Sequence, residues 1–212
     1  MDTSTQKKWD FSAAFYDLLA WGPERRWAPR KRELFANMQG KVLFVAVGTG
    51  QDIPFFPPGR DITGIDISPR MLAKARDRAA RYSGSLELRV MDIHALEFAD
   101  HSFDQVVTSC TFCSVPDPVA GLIALRRVLK PGGELYMFEH TGSRMLPFNL
   151  MLDVMTPIWK PIGPEMNRDT VVNVEKAGFE IRQVNNVYLD VVKTIIATAP
   201  VEQGSDPIDG QY

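Results

Sequence analysis

The chain has 212 residues, 45% of them hydrophobic and 24% charged, with 26 acidic side chains against 24 Lys and Arg. That length supports a single core without disulfide or metal staples, and a net charge of −2 argues against a surface built to coat nucleic acid. Cys110 and Cys113 are too few for a disulfide framework, and no second Cys or His pair completes a metal site, so they read as two small buried residues. Residues 1–12 are polar and charged, unlike a signal peptide, and no apolar run reaches membrane-spanning length. A cytoplasmic protein is expected, or one held peripherally at a membrane.

In chain order, residues 1–8 read as a frayed terminus. Trp9, Phe11, Phe15, Leu18 and Leu19 then have helical spacing, so a helix is expected over 9–21, stopped near Gly22-Pro23. A second helix is expected over 24–38, and residues 1–40 together form a helical cap. Between Arg25 and Arg32 lie five cations and Trp27. This run is either a solvated helix face or a peripheral contact with anionic lipid head groups.

Residues 42–46 form a short apolar run that ends in Gly48-Thr49-Gly50. A buried strand feeding a glycine turn presents backbone N–H groups to a nucleotide-like ligand, and glycines permit its close approach. A second strand ends at Asp66, eighteen positions after Gly48. An acid at that place can accept both hydroxyls of a ribose. It is free to do so because Ser68, before Pro69, serves as the cap of the next helix, 69–82.

The third strand, 86–91, leads to Asp92-Ile93, and the fourth, 103–109, leads to Cys110. Ligands of open α/β sheets bind beyond such strand ends, which places Cys110, Thr111 and Phe112 at the site. A helix over 117–130 stops at Lys130-Pro-Gly-Gly133. The fifth strand, 134–140, ends in Glu139 and His140, which point in opposite directions. His140 is the neutral-pH titrator expected near the reaction face, whereas His94 and His101 are expected in turns away from the strand tips.

Residues 141–168 are rich in Met, Leu, Phe and Trp among prolines and glycines. They read either as an irregular helix plugging the sheet or as an adaptable apolar lid. In the lid reading, Met145, Phe148, Met155 and Trp159 join Phe112 as acceptor contacts. A helix over 168–177 and two strands, 181–190 and 192–199, close a domain spanning 41–200. The tail, 201–212, is expected to be disordered.

Four segments in order, VAVGTGQD, GIDISPRMLAKAR, MDIHALEFADHSFDQVV and LRRVLKPGGELYMFEH, resemble the class I S-adenosylmethionine-dependent methyltransferases. The resemblance implies an α/β Rossmann-like fold: a mostly parallel seven-stranded sheet with one antiparallel strand and helices on both faces. It also implies S-adenosylmethionine as cofactor. Asp92 would then meet the adenine amino group, Ile93 and Met71 would pack on the ring, and Ile67 would follow the ribose acid. Phe44 and Ala46 stand where the family has an acid and its first glycine, so backbone carbonyls near Ala46 and Cys110 are left to hold the methionine ammonium.

Phe15-Tyr16-Asp17 resembles an N-terminal signature of quinone C-methyltransferases and phosphatidylethanolamine N-methyltransferases. Tyr16 either reaches the methionine end or the substrate, or is a core aromatic. Cys113-Ser-Val-Pro-Asp-Pro118 followed by Phe138-Glu-His140 is most similar to alkyl-thiol methyltransferases. The expected reaction is methyl transfer to sulfur or nitrogen of a small lipophilic or amphiphilic acceptor, with His140 as base. Quinone or phenol methylation is the alternative, and a non-catalytic S-adenosylmethionine-binding protein is the alternative of another class.

Overall fold

A computed structural model describes residues 2–159 and 165–201, with the side chains of residues 19–25, 158 and 159 outside the description. Seven strands, β1 (Lys41–Val45), β2 (Asp61–Asp66), β3 (Ser85–Val90), β4 (Phe103–Ser109), β5 (Leu129–His140), β6 (Glu180–Tyr188) and β7 (Val192–Thr198), form one sheet in the order β3-β2-β1-β4-β5-β7-β6. The first five pair in parallel, and β7 alone runs antiparallel to both its neighbours. From β1 the chain steps outward to β2 and β3, then returns to β4 on the other side. That reversal opens a crevice between the carboxyl ends of β1 and β4.

Among the described residues, six α-helices accompany the sheet: α1 (Thr3–Ser12), α2 (Tyr16–Phe35), α3 (Pro69–Ala79), α4 (Pro118–Val128), α5 (Phe148–Trp159) and α6 (Thr170–Lys176). Alternate residues of β1 enter opposite cores. Leu43 and Val45 pack with Leu122 and Leu125 of α4 and Val174 of α6. Val42 and Phe44 pack with Leu34 and Phe35 of α2 and Leu72 of α3. A central strand buried on both faces explains its uninterrupted apolar run.

Phe44 therefore belongs to the core. Its ring lies 4.8 Å from that of Phe56 and 5.8 Å from that of Phe35.

The N-terminal expectations need correction. Residues 3–12 are helical, with the Asp2 carboxylate accepting from the N–H groups of Ser4 and Thr5, so the terminus is capped rather than frayed. The helix break falls at residues 13–15, and α2 runs through Gly22-Pro23. Burial of Ala28, Lys31, Leu34 and Phe35 docks the later half of α2, and that tertiary gain overrides a local stop signal. The expected lid contains a regular helix, α5. The expected disordered tail, from residue 202 on, lies outside the described residues.

The cationic run is partly consumed by the fold. Lys31 is buried and bonded to Asp52 at 2.8 Å. Arg26 stacks on Trp27 and Tyr188, Arg32 stacks on Phe55, and Arg30 pairs with Glu33. The Arg25 side chain lies outside the described residues. No described helix is long and apolar enough to cross a membrane.

Truncating Phe44 to Ala should cost about 3–5 kcal/mol in urea unfolding, the cost of an aromatic-sized hole in a core. Phe44→Glu should lose more, because its carboxylate would be buried among rings without a partner. A stable Phe44→Glu protein with tighter methyl-donor binding would show that this position faces the ligand instead.

Candidate functional site

The crevice between β1 and β4 is a cleft open to solvent that encloses about 110 Å³ of free space. Tyr16, Ala46, Gly48, Asp66, Ile67, Met71, Asp92, Ile93 and Cys110 all line it. Its floor is set by backbone conformation. Ala46 (φ 57°) and Cys110 (φ 52°), just beyond β1 and β4, both adopt the left-handed region. Non-glycine residues persist there only where their surroundings over-determine them. Gly48 (φ 59°) has open space where a Cβ would stand, as a close-approaching ligand needs.

Asp66 and Asp92, at the tips of neighbouring strands, both line the cleft. Asp66, at the tip of β2, accepts from the N–H of Gly48 and the N–H of Ser68, each at 2.8 Å. Burial pushes its carboxyl up to about 6, against the pull of those two N–H groups, and nearby Asp10 adds to the rise. Asp92, beyond β3, accepts from the N–H of His94 at 3.0 Å and from the N–H of Asp2 at 2.8 Å. Burial opposes its charge, but these hydrogen bonds and the His94 ring outweigh burial and hold the carboxyl below its usual range.

The N-terminal helices form the outer wall, where Asp2, Thr5 and Trp9 join Tyr16 on the cleft. Carboxylates tie them down. Asp10 accepts from the Ser68 hydroxyl at 2.5 Å and the Arg70 N–H at 3.3 Å. Asp17 accepts from the Thr49 hydroxyl at 2.5 Å and the Gln51 amide at 2.9 Å, and meets Arg78 at 3.3 Å. The residue beside Tyr16 thus clamps α2 onto the glycine loop.

Other expected site residues lie off the cleft walls. Thr49 is buried against Asp17. Gly50 serves packing instead, since a Cβ there would come within 2.8 Å of Ile53 and 3.0 Å of Ala75 on α3. The Phe112 side chain is wholly buried in the core beside Val115 and Leu122, so an acceptor cannot reach it without repacking. Met145 is exposed, Phe148 and Met155 are half-buried, and none of the three lines the cleft; the Trp159 side chain is outside the described residues. His140 is half-buried and also off the cleft.

The sequence reading missed Asp2, Thr5, Trp9 and His94 as cleft residues. His94 was expected away from the site. Its Nδ1 lies 3.0 Å from Asp92 and its Nε2 lies 2.9 Å from the Asp117 carbonyl, which bridges two rim segments. Its place two residues after Asp92 was the available signal.

A carboxylate is needed to accept two ribose hydroxyls, so affinity for S-adenosylhomocysteine should weaken as pH falls below about 6. Apo stability should move the other way. The Asp66 contribution is fully present below the ordinary value of 3.8 and is lost as pH rises through about 6. Asp66→Ala should cost about 1.5–3 kcal/mol of ligand affinity by calorimetry. Unchanged affinity would remove Asp66 from the site.

A family model described as a methyltransferase domain matches residues 43–137, the segment carrying β1 to β5 and the cleft floor. A thiol S-methyltransferase of Homo sapiens is 34% identical over 171 residues, covering 73% of this chain and 69% of that protein. A phosphatidylethanolamine N-methyltransferase of Cereibacter sphaeroides is 34% identical over 137 residues, covering 63% of this chain and 65% of that protein. An S-adenosylmethionine-dependent methyltransferase structure from Thermotoga maritima shares the fold, with a TM-score of 0.68 at 18% identity over 92% of this chain and 99% of that one. With the switch-point cleft and its carboxylates, these matches establish that the chain belongs to the S-adenosylmethionine-dependent methyltransferases.

Proposed function

We propose that this methyltransferase acts on sulfur or nitrogen of a lipophilic or amphiphilic acceptor, with an alkyl thiol as the leading class and a phospholipid amine as the other. The observation that carries this reading is the outer face of α5. Leu150 is 62% exposed and Val154 63% exposed, Met151 of the same helix is exposed too, and so is Leu146 just before it. After α5 the chain returns to the cleft rim, where the N–H of Glu165 donates to the Cys113 carbonyl at 2.8 Å and Arg168 donates to the Phe112 carbonyl at 3.0 Å. An apolar surface tied to the rim suits a greasy acceptor. The acceptors named for the human and bacterial relatives agree with that class.

The residues present fit the methyl donor. Gly48 leaves room for close approach, Asp66 offers a buried carboxylate to paired hydroxyls, and Asp92 with Ile67, Met71 and Ile93 offers an acid amid apolar walls. S-adenosylmethionine supplies a methyl group already activated on a sulfonium. The protein's share is alignment, exclusion of water and removal of an acceptor proton. Trp9 and Tyr16 line the outer side of the cleft.

We assign proton removal to His140. Burial lowers the pKa of its ring, keeping the imidazole neutral and able to accept, and Nδ1 has no hydrogen-bond partner among the described residues. Its place off the cleft requires an acceptor that extends past Cys110 toward the tip of β5.

A panel of alkyl thiols, phospholipid vesicles and quinols with labelled methyl donor tests the acceptor class. Turnover should rise with alkyl chain length. Leu150→Ser and Val154→Ser should raise KM for long-chain acceptors several-fold while leaving donor affinity unchanged. Turnover restricted to small polar acceptors, or to quinols, would overturn the reading. His140→Ala should abolish the acidic limb of the kcat profile below about pH 6.5 while donor affinity stays unchanged, and full activity in that variant would sink the base assignment.

A further inference from the structure

One buried carboxylate has no part in the mechanism above. Glu139, at the tip of β5, is fully buried. Its Oε1 accepts from the Thr108 hydroxyl at 2.7 Å and the Thr111 N–H at 3.1 Å. Its Oε2 accepts from the N–H groups of Thr111 at 2.9 Å and Phe112 at 3.1 Å. Every one of these partners is a donor. The arrangement repeats what Asp66 does on the other side of the switch point. Asp66, at the tip of β2, grips the loop after β1 through Gly48, and Glu139, at the tip of β5, grips the loop after β4. Each grip falls one or two residues after a strained left-handed position, Ala46 or Cys110.

We propose that Glu139 is a positioning residue for methyl-donor binding: its ionised carboxylate holds the N–H groups of Thr111 and Phe112 and thereby fixes Cys110, Ser109 and Thr111 as one wall of the cleft. The proposal rests on the reading of that cleft as the donor site. Left-handed backbone at a non-glycine residue is strained, and the buried carboxylate supplies compensating hydrogen bonds. Cys113 and Val115 of the same loop are held from outside by Glu165 and Arg168, so Glu139 is the inner half of a two-sided clamp.

Burial pushes the Glu139 carboxyl up to about 7, against its Thr108, Thr111 and Phe112 donors and the ammonium of Lys31 on α2. The other groups around it leave it as the titrating member. Burial, and then Glu139 itself, push the Cys113 thiol up to about 12, so it stays neutral. Lys193, the register partner of Glu139 on β7, is engaged by Asn186 at 3.1 Å. Arg168 spends its guanidinium on loop carbonyls and on Glu165. On protonation, the new O–H can be accepted only by the Thr108 hydroxyl, which must reverse its own bond, and the neutral carboxyl holds the Thr111 and Phe112 N–H groups less strongly.

S-adenosylhomocysteine binding, followed by calorimetry from pH 8.5 to 5.5, tests this. Wild-type affinity should fall about tenfold through a step centred near pH 7, separate from the Asp66 step below about 6. Glu139→Gln places an NH2 group against backbone donors. It should bind about tenfold more weakly at pH 8 and show no step near 7. If that variant fails to fold, Thr108→Val removes one donor that favours the charged form, and the step should move to higher pH. A wild-type profile that is flat near 7, a Glu139→Gln protein that binds like wild type, or an unmoved midpoint in Thr108→Val would overturn the proposal. Absence of any binding by the wild type would overturn the site reading itself, and the proposal with it.

Discussion

Two adjacent parallel strands must part at their carboxyl ends, and the molecule depends on how that parting is held open. Beyond β1 and β4 the chain turns through single left-handed residues, Ala46 and Cys110, neither of which is a glycine. Both turns are gripped by carboxylates from the next strands outward, Asp66 and Glu139. Charges buried in this way are costly unless every lone pair finds a donor, and here backbone N–H groups provide most of the donors. The cleft is therefore a product of backbone hydrogen bonding first and of side-chain chemistry second.

Replacing the acid and first glycine of the family pattern by Phe44 and Ala46 has two different effects. At Phe44 a side chain has joined the aromatic cluster with Phe35 and Phe56, so this position contributes to packing under α2 and α3. At Ala46 the backbone keeps the positive φ that a glycine would adopt freely. The geometry of the motif survives while one of its charges is gone.

Much of the sheet was legible because its signals are local. The run 42–46, the strand ending at Asp66 and the segment 103–109 are apolar stretches that a parallel sheet buries on both faces. Gly48, Asp66 and Cys110 follow from strand ends and spacing, Tyr16, Met71 and Asp92 from the family resemblance, and the cleft gathers all six. What was not legible depends on long-range docking. Gly22-Pro23 read as a stop, yet α2 continues because its later turns are buried against the sheet. Gly50 read as a ligand contact, and only the position of α3 shows that it serves packing. The inward turn of Phe112, the off-cleft place of His140 and the approach of Asp2 to Asp92 likewise depend on contacts far apart in sequence.

The helix α1 is a lightly held part of the cleft wall. No residue of α1 is buried, and its attachments include the Asp2 N–H on Asp92, Asp10 on Ser68 and Arg70, the Trp9 ring against Tyr16, and the following turn on Lys74. Detaching such a helix exposes little apolar surface, so water can replace nearly everything lost. The outer wall of the cleft therefore belongs to the low-energy end of local opening, while its floor is welded into the sheet. A segment joined ahead of residue 2 would sit against that lightly held wall, beside the Asp92 carboxylate that the Asp2 N–H meets.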